Sequence, residues 1–366
     1  MTHTECRTKE SRVRRFLRQA GLNGILLTRQ PNFAWMTCGG DNHVVTASEG
    51  GVATLLFTPE RKIVLTTNIE AQRIMEEEVC GLGYDLVSYP WHEATARAAA
   101  IRKHIRGLRV ASDDGVAGTP PLGEAFTELR YSLTEQEVKR YRALGHDCSE
   151  AMEEAGRRVA RGQAEHQIAS EVCRAFLARD IVPVVVLIAA DERAMKYRHP
   201  IYKNKKVDRH VMIVMCGRRK GLIVSLTRLV HFGRLPDDLR RKHDACCAVD
   251  AAFNLGSKPG ASLGSVLQNA IRVYERTGFP EEWRLHHQGG TTGYGGRDVI
   301  ATPGQKEKIH PNQALAWNPS IAGTKSEDTI IVRKNGIEVI SRPIQWPTIE
   351  AEWNGKTIRR ADILVK

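Results

Sequence analysis

Hydrophobic positions in the first third of the chain alternate between a helical spacing and short apolar runs. The helical spacing predicts one helix over 11–20, ended by Gly21, and two more near 68–79 and 92–107. Runs rich in β-branched residues predict four strands, at 24–27, 51–57, 62–67 and 109–112. This pattern is typical of an α/β domain, which we expect to span residues 1–130.

A long amphipathic helix is predicted to open the second domain. The turn-forming sequence GTPP at 118–121 precedes it, and Thr134 and Glu137 have the spacing of a capping box. Its apolar residues recur every three or four positions and predict one buried stripe: Val138, Tyr141, Gly145, Cys148 and Met152. We expect this domain to cover residues 131–366.

The rest of the second domain pairs helices with hairpins. We expect helices over 164–179, 235–255 and 262–277, and strands at 182–189, 210–216, 221–230, 314–318, 328–333 and 337–341. The sequence GRRK has the length of a hairpin turn between two of these strands. The alternation predicts an α+β domain, with an irregular tail after residue 345.

Charge and cysteine spacing narrow the class of protein. Lys and Arg number 54 against 42 Asp and Glu, a formal net charge of +12, but the basic residues are spread along the chain and form no nucleic-acid-reading motif. The eight cysteines form no CxxC pair, no apolar run is long enough to span a membrane, and the charged N-terminus lacks a signal-peptide core. We therefore expect a cytoplasmic protein with reduced cysteines that binds neither nucleic acid nor a membrane.

Candidate chemistry is concentrated in polar segments of the second domain. The segment 191–200 carries His199 before a proline, between two predicted strands. The segment 316–332 carries Asn318 and Glu327 at strand ends, where an acidic residue can act as a base or a ligand. The first segment could equally be a solvated connection, and the acidic residues of the second could be simple turn residues.

The densest cluster is WRLHHQGGTTGYGGRD at 283–298, which holds two histidines among glycines that permit close approach of a ligand. Neighbouring residues on a strand face opposite sides, so we expect His287 to point away from His286. The glycine spacing does not match a nucleotide-binding loop.

These three segments, in this order, resemble the family of creatinase, aminopeptidase P, prolidase and methionine aminopeptidase. The helix SLTEQEVKRYRALGHDCSEAM resembles the one that opens the family's catalytic domain, and PNFAWMTCGG resembles its N-terminal segment. The resemblance implies the pita-bread fold for the second domain, after an α/β N-terminal domain.

The resemblance also implies where metal ligands would stand. Metallopeptidases of this family bind two divalent ions through two Asp, one His and two Glu. Those positions fall here on five residues: Met215 (or Val214 if the shorter hairpin shifts the alignment), Ser225, His286, Asn318 and Glu327. One imidazole and one carboxylate cannot neutralise two divalent ions, so we expect no dinuclear metal site and no cofactor. A single adventitious metal ion on His286, His287 or Glu327 stays open.

Creatinase is a metal-free enzyme on this fold, and it offers a second comparison. Its general base corresponds to His199, and its carboxylate-binding arginine corresponds to Arg297, eleven residues after His286. Its guanidinium-binding glutamates correspond to Thr227 and Asn318, which are neutral, so a guanidinium substrate is not expected.

The resemblance therefore implies a metal-independent enzyme that hydrolyses a C–N bond of a small carboxylate-bearing substrate; lyase, isomerase or cyclisation chemistry by the same groups stays open. The expected catalytic residues are His199, His286 and Glu327. The expected substrate-binding residues are Arg297, Asn318, Tyr294, Ser225 and Thr227, with Tyr294 as a stacking face. A catalytically inactive protein that binds a peptide or partner, and an Xaa-Pro-type aminopeptidase or dipeptidase, are the alternatives.

Creatinase-like enzymes are homodimers, which implies the same assembly here. We expect the segment 31–44 to lie near a partner's pocket, with Phe33 and Trp35 exposed beside Asn42 and His43.

Overall fold

A mixed five-stranded sheet forms the centre of the N-terminal unit in the computed structural model, which describes residues 3–366. Its strands are β1 (Gly24–Arg29), β2 (Gly50–Phe57), β3 (Lys62–Thr67), β4 (Asp85–Tyr89) and β5 (Val110–Ser112). They lie in the order β4-β3-β2-β1-β5; β1 and β3 pair antiparallel with β2, whereas the two edge strands run parallel to their neighbours. The apolar runs predicted four of these strands but not β4, most of whose side chains are exposed or half-buried.

The helices of this unit are α1 (His3–Ala20), α2 (Gln30–Met36), α3 (Ala71–Arg73, continued by a π-helical turn at Ile74–Glu78), α4 (Ala96–Ile105) and α5 (Glu124–Thr127). The expectation that Phe33 and Trp35 are exposed is wrong, because both are fully buried on α2. The Trp35 ring packs edge-on against Phe126, with ring centroids 6.0 Å apart. These aromatic side chains belong to the core and leave none of their surface for a partner.

The second unit has four helices close to those predicted, α6 (Glu135–Arg158), α7 (Glu165–Leu177), α9 (Asp237–Gly256) and α10 (Leu263–Arg276). The short α8 (Glu192–Lys196) was not predicted and lies in the polar segment before His199. The capping box of α6 forms as the sequence predicts. The Thr134 hydroxyl accepts a hydrogen bond from the Glu137 amide, and the Glu137 carboxylate accepts one from the Thr134 amide. The predicted stripe of α6 is buried.

Two four-stranded sheets carry the site. One has the order β17-β8-β7-β6 and the other the order β14-β13-β10-β9. The strands of the first are β6 (Val182–Ala190), β7 (His210–Arg219), β8 (Leu222–His231) and β17 (Ile363–Val365). The strands of the second are β9 (Gly289–Thr292), β10 (Gln313–Trp317), β13 (Asp328–Arg333) and β14 (Gly336–Val339), and β11 (Ser320–Ile321) forms a small hairpin with β12 (Thr324–Lys325).

The expectation of an irregular tail is wrong. Residues after 345 form the hairpin β15 (Thr348–Trp353) and β16 (Lys356–Ala361), followed by β17, which runs parallel to β8. The dipeptide Asn354-Gly355 turns the hairpin with φ of 49° and 72°, and this is the strongest short-range hairpin signal in a sequence.

The chain divides into two compact units. The first is the part up to Arg130 together with Lys220–Leu222 at the turn between β7 and β8, and the second is Tyr131–Arg219 together with Ile223–Lys366. Within residues 3–366 no helix has the length and apolar character needed to cross a membrane.

Candidate active site

Glu327 owes its orientation to its two chain neighbours. The Ser326 hydroxyl donates to the Asp250 carboxylate, and Asp328 accepts from the Arg228 guanidinium at 3.1 Å. Because successive side chains of an extended chain alternate, Glu327 points the opposite way from both. Its Oε2 accepts a hydrogen bond of 2.7 Å from the Thr227 hydroxyl on β8.

A buried network of ion pairs lies on the side of the chain opposite the Glu327 side chain. Arg360 on β16 contacts the Asp250 carboxylate at 2.6 Å and the Asp328 carboxylate at 2.9 Å. With Arg228, the network holds two guanidinium groups and two carboxylates, all buried, so its charges balance. It fixes the backbone from which Glu327 projects.

Two cations flank the Glu327 carboxylate. Lys325 Nζ lies 2.8 Å from Oε2, and Arg297 Nη2 lies 3.5 Å from Oε1. Burial alone would raise the pKa of Glu327, but the charges of Lys325 and Arg297 outweigh burial and hold that pKa below its ordinary value. Lys325 was not among the predicted residues, although its position two residues before Glu327 places it on the same face of an extended segment.

Three imidazoles meet beside these charges. His286 Nε2 lies 3.0 Å from His199 Nε2, and one ring nitrogen from each of His199, His286 and His287 lies within 4.8 Å of the others. The expectation that His287 points away from His286 is wrong, since their ring centroids are 4.6 Å apart. Strand alternation does not apply to this pair, because both residues precede β9.

A buried amide holds the histidine segment in place. The Gln288 side chain donates to the His286 carbonyl at 2.7 Å, and its Oε1 accepts from the Tyr274 hydroxyl at 2.9 Å. The Ser320 hydroxyl lies 3.5 Å from His286 Nδ1. The site therefore also depends on α10 and β11, whose contacting residues, Tyr274 and Ser320, are uncharged and did not stand out in the sequence.

Desolvation and neighbouring cations keep the three imidazoles neutral. Burial, then the charge of Lys325, lowers the pKa of His286 to about 2. Burial, then Arg297, lowers the pKa of His287 to about 4, and burial, then Lys325, lowers that of His199 below its ordinary value. A pocket of about 480 Å³ lies against the three rings and includes Trp283 in its lining.

Two residues of β7, Met215 and Val214, were the alternatives for the first ligand position. The Cys216 thiol lies 3.1 Å from the Ser225 hydroxyl, so Met215, its strand neighbour, faces the opposite side of the sheet. Val214 shares the face of Cys216. The alternative placement at Val214 is therefore the one compatible with the site.

Tyr294 does not offer a stacking face. Its ring is buried, and its hydroxyl donates a hydrogen bond of 2.7 Å to the Glu137 carboxylate on α6.

The glycines on either side of Tyr294 have two different roles. A Cβ on Gly289 or Gly290 would collide with a backbone oxygen, at 2.2 and 2.0 Å, so these residues allow close strand packing, whereas Gly293 and Gly296 have open space beside them.

Asn318 lies at the end of β10 beside the histidine segment. Its amide N–H donates to the Gln288 carbonyl at 3.2 Å. Its side chain is buried, and among residues 3–366 its Oδ1 has no hydrogen-bond partner. A buried carbonyl oxygen without a donor is costly, so this atom is suited to accept from a substrate or a water.

The donor set does not fit the family's two divalent ions. Of the five residues at the ligand positions, Glu327 alone is a carboxylate, and the Lys325 ammonium already neutralises it. A hard divalent ion needs several anionic oxygens, which Val214, Ser225 and Asn318 cannot supply. The three imidazoles could instead hold a single transition-metal ion, because neutral ring nitrogens are suitable ligands.

Comparison with known proteins supports the fold. Residues 139–334 match the profile described as Metallopeptidase family M24. An Xaa-Pro dipeptidase from Bacillus anthracis is 18% identical with a TM-score of 0.76, over 99% of this chain and 100% of that one. A prolidase from Pyrococcus horikoshii is 16% identical with a TM-score of 0.78, over 92% and 98%. The predicted α/β domain followed by a pita-bread domain is confirmed.

Two curated relatives are also similar. An agropine synthesis cyclase from Rhizobium rhizogenes is 28% identical over 138 residues, which is 35% of this chain and 35% of the relative. An uncharacterized peptidase from Staphylococcus saprophyticus is 20% identical over 235 residues, 62% of this chain and 67% of the relative. The cyclase match thus spans about a third of either protein.

Proposed function

The chain belongs to Metallopeptidase family M24, in which peptidases and dipeptidases hydrolyse C–N peptide bonds, and from this premise we propose that it is a metal-independent enzyme of the creatinase type. Its reaction is the hydrolysis of a C–N bond in a small substrate that carries a carboxylate. His199 is the general acid and base.

The observation that carries this proposal is the 3.0 Å contact between His199 Nε2 and His286 Nε2. At that distance one nitrogen bears the proton and the other accepts it; we take His199 Nε2 as the donor, which leaves His199 Nδ1 as the basic nitrogen. His286 is buried and has a pKa of about 2, so it stays neutral and orients its partner. His199 is exposed to the pocket and, with a pKa below its ordinary value, is an unprotonated base at neutral pH.

The proton balance needs no further group. His199 takes a proton from water as the water oxygen attacks the carbonyl or amidine carbon, and the imidazolium then returns that proton to the leaving nitrogen. The products are an amine together with an acid, from an amide carbonyl, or with an amide, from an amidine. Asn318, with its unpartnered Oδ1, is placed to accept a hydrogen bond from the water or the scissile group.

Arg297 is the group best suited to the substrate carboxylate. Its Nη1 donates to the Gly296 carbonyl at 2.6 Å, but Nη2 reaches Glu327 only at 3.5 Å, and Nε has no partner among the described residues. Guanidinium N–H groups with poor partners favour a bidentate carboxylate. Lys325 adds positive charge to the same region.

Turnover of a substrate panel tests this function. N-acyl amino acids, guanidino acids and Xaa-Pro dipeptides are incubated with the protein, with a chelator or with added Mn²⁺, and products are identified by mass spectrometry. We expect chelator-insensitive turnover of an acidic member, lost in His199→Ala and kept in His146→Ala, an exposed histidine of α6. Turnover of Xaa-Pro dipeptides that requires Mn²⁺ would instead identify a metallopeptidase, and turnover of nothing would favour a partner-binding protein.

Cyclisation is the second candidate reaction, favoured by the similarity to the agropine synthesis cyclase. The same acid–base pair could deprotonate a hydroxyl or amine of the substrate itself, which then attacks the substrate's own carboxyl carbon. The carboxyl C–O bond breaks, and the proton returned from His199 lets that oxygen leave as water. Reaction in H₂¹⁸O distinguishes the two. Hydrolysis incorporates the label into the product, whereas ring closure releases an unlabelled water and lowers the product mass accordingly.

A further inference from the structure

Two cysteines of the N-terminal unit touch each other. Cys6 Sγ on α1 lies 2.8 Å from Cys38 Sγ in the turn after α2, although 32 residues separate them in the chain. Both are free thiols. A disulfide bond is about 2.05 Å long, so a small approach of the two sulfurs would allow a bond.

The end of α2 places Cys38 for this contact. Cys38 has a φ of 62°, in the left-handed region that glycine usually occupies at a helix end. The next residue, Gly39, donates its amide N–H to the Ala34 carbonyl at 2.7 Å and so closes the helix. The conformational energy of a cysteine at this φ is higher than that of a glycine, because the cysteine Cβ crowds the backbone. The hydrogen bond that ends the helix therefore holds Cys38 in this conformation.

The two thiols differ in access and in acidity. Cys6 is half-buried, whereas Cys38 is buried. The hydrogen bond with Cys38, and then the charge of Lys9 one turn along α1, lower the pKa of Cys6 to about 7. The same hydrogen bond, together with burial, raises the pKa of Cys38. Cys6 thus has the character of an attacking thiolate, and Cys38 that of a protonated resolving thiol.

We propose that Cys6 and Cys38 form a peroxide-reactive dithiol that closes reversibly to a disulfide. The Cys6 thiolate attacks one oxygen of a hydroperoxide, forms a sulfenic acid and releases water or an alcohol. The Cys38 sulfur then attacks the Cys6 sulfur and displaces a second water. The pair loses two electrons and two protons, both electrons pass to the peroxide, and a thiol reductant restores the dithiol.

Closure would link α1 to the end of α2. The resulting loop runs from Cys6 to Cys38 and contains β1, so the cross-link restricts the unfolded chain of this unit. We expect the oxidised protein to unfold at a temperature several degrees higher than the reduced protein, and a thiol reductant to reverse the shift. None of this depends on the reaction proposed above.

Peptide mapping of the intact protein tests the pair. Full-length protein is treated with hydrogen peroxide, alkylated and digested without reduction. We expect a Cys6–Cys38 linked peptide and the loss of two titratable thiols per chain, at a peroxide concentration that leaves Cys80, the exposed cysteine, largely reduced. Oxidation of Cys80 ahead of this pair, or no linked peptide, would overturn the proposal.

Single variants separate the two roles. In Cys38→Ser, Cys6 should stop at the sulfenic acid and react with a dimedone probe, whereas in Cys6→Ser, Cys38 should stay reduced. Cys80→Ser should form the link as the wild type does. If Cys38 is trapped as a sulfenic acid in Cys6→Ser, the assignment of the attacking thiol is wrong. The wild-type map decides the proposal even if a variant fails to fold.

Discussion

For Arg297, the sequence and the geometry both support the same proposal, that its guanidinium binds a substrate carboxylate. Arg297→Lys keeps the charge but removes the planar fork that pairs with a carboxylate. We expect KM for the acidic substrate to rise about tenfold, equivalent to about 1.4 kcal/mol, with the thermal unfolding temperature unchanged. Steady-state kinetics on the substrate found by the panel measures this change.

Two controls accompany Arg297→Lys. A substrate analogue with its carboxylate converted to an amide should show no difference between wild type and variant. Arg276→Lys, an exposed arginine at the end of α10, should behave as the wild type. Equal KM values for the acid in wild type and Arg297→Lys would remove the case for an acidic substrate.

Lys325 contributes to the lowered pKa of His199. Burial is the larger cause, and the charge of Lys325 adds to it, because a cation beside an imidazole disfavours the protonated form. Because His199 must be neutral to act as a base, kcat/KM should rise with pH through that lowered pKa and level off below pH 6.5, the group's ordinary value. Lys325→Met should raise the pKa of His199 and move this acid limb to higher pH.

The pH profile of kcat/KM is the measurement. If Lys325 had only a structural role, Lys325→Met would lower kcat/KM without shifting the pH of the acid limb. Lys306→Met, at an exposed position, is the matched control. A limb at the same pH in Lys325→Met and wild type would exclude electrostatic control by Lys325.

At the scale of elements, strand alternation in β16 places Arg360 in the buried ion network and its neighbour Arg359 at the surface. Arg360 is fully buried between two carboxylates, whereas the side chain of Arg359 is 76% exposed. Arg360→Met removes the guanidinium that contacts Asp250 and leaves one guanidinium, Arg228, for two buried carboxylates, so we expect it to lower the free energy of unfolding by about 3–5 kcal/mol. Arg359→Met should change it by about 0.5 kcal/mol or less. Urea unfolding followed by circular dichroism compares the two, and equal effects would contradict the role of the network.

For the whole molecule, metal content is the most direct test of the site chemistry. Purified protein should contain well under one equivalent of divalent metal, because the ligand positions lack the carboxylates that two ions require. Elemental analysis by mass spectrometry measures this. Two tightly held Mn, Co or Zn ions per chain would overturn the metal-independent mechanism, and one ion lost in His287→Ala would assign it to the three imidazoles.

Assembly is a second property of the whole molecule. The resemblance to creatinase predicts a head-to-tail homodimer, but Phe33 and Trp35 cannot form its contact because they are buried. Val44 and Val45 follow them in the chain and are 62% and 63% exposed, so they are the apolar side chains that remain available there. Light scattering at micromolar concentration should give the mass of a dimer. Val44→Asp with Val45→Asp should give a monomer, and Leu177→Asp should not; a monomeric wild type would refute the assembly.

The sequence by itself determined features that depend on neighbours along the chain. The capping box of α6 needs two residues three positions apart, and both were readable before any fold was known. Ser225 and Asn318 stand at positions where the family's metallopeptidases have carboxylates, so the mismatch with a dinuclear metal site could be predicted from residue identity alone. His199, Arg297 and Glu327 were predicted as site residues because they occur in short motifs of the resembled family.

Tertiary structure decided which way side chains point and what surrounds them. His287 lies beside His286 because the chain is irregular before β9. The Tyr294 hydroxyl is buried where it donates a hydrogen bond to Glu137 on α6. Lys325, the last residue of β12, enters the site because the extended chain between β12 and β13 places Glu327 beside it. Each of these contacts joins side chains whose directions depend on the packing of separate elements. Hydrophobic periodicity reports burial along one element, and it contains no information on which distant polar group completes a hydrogen bond or an ion pair.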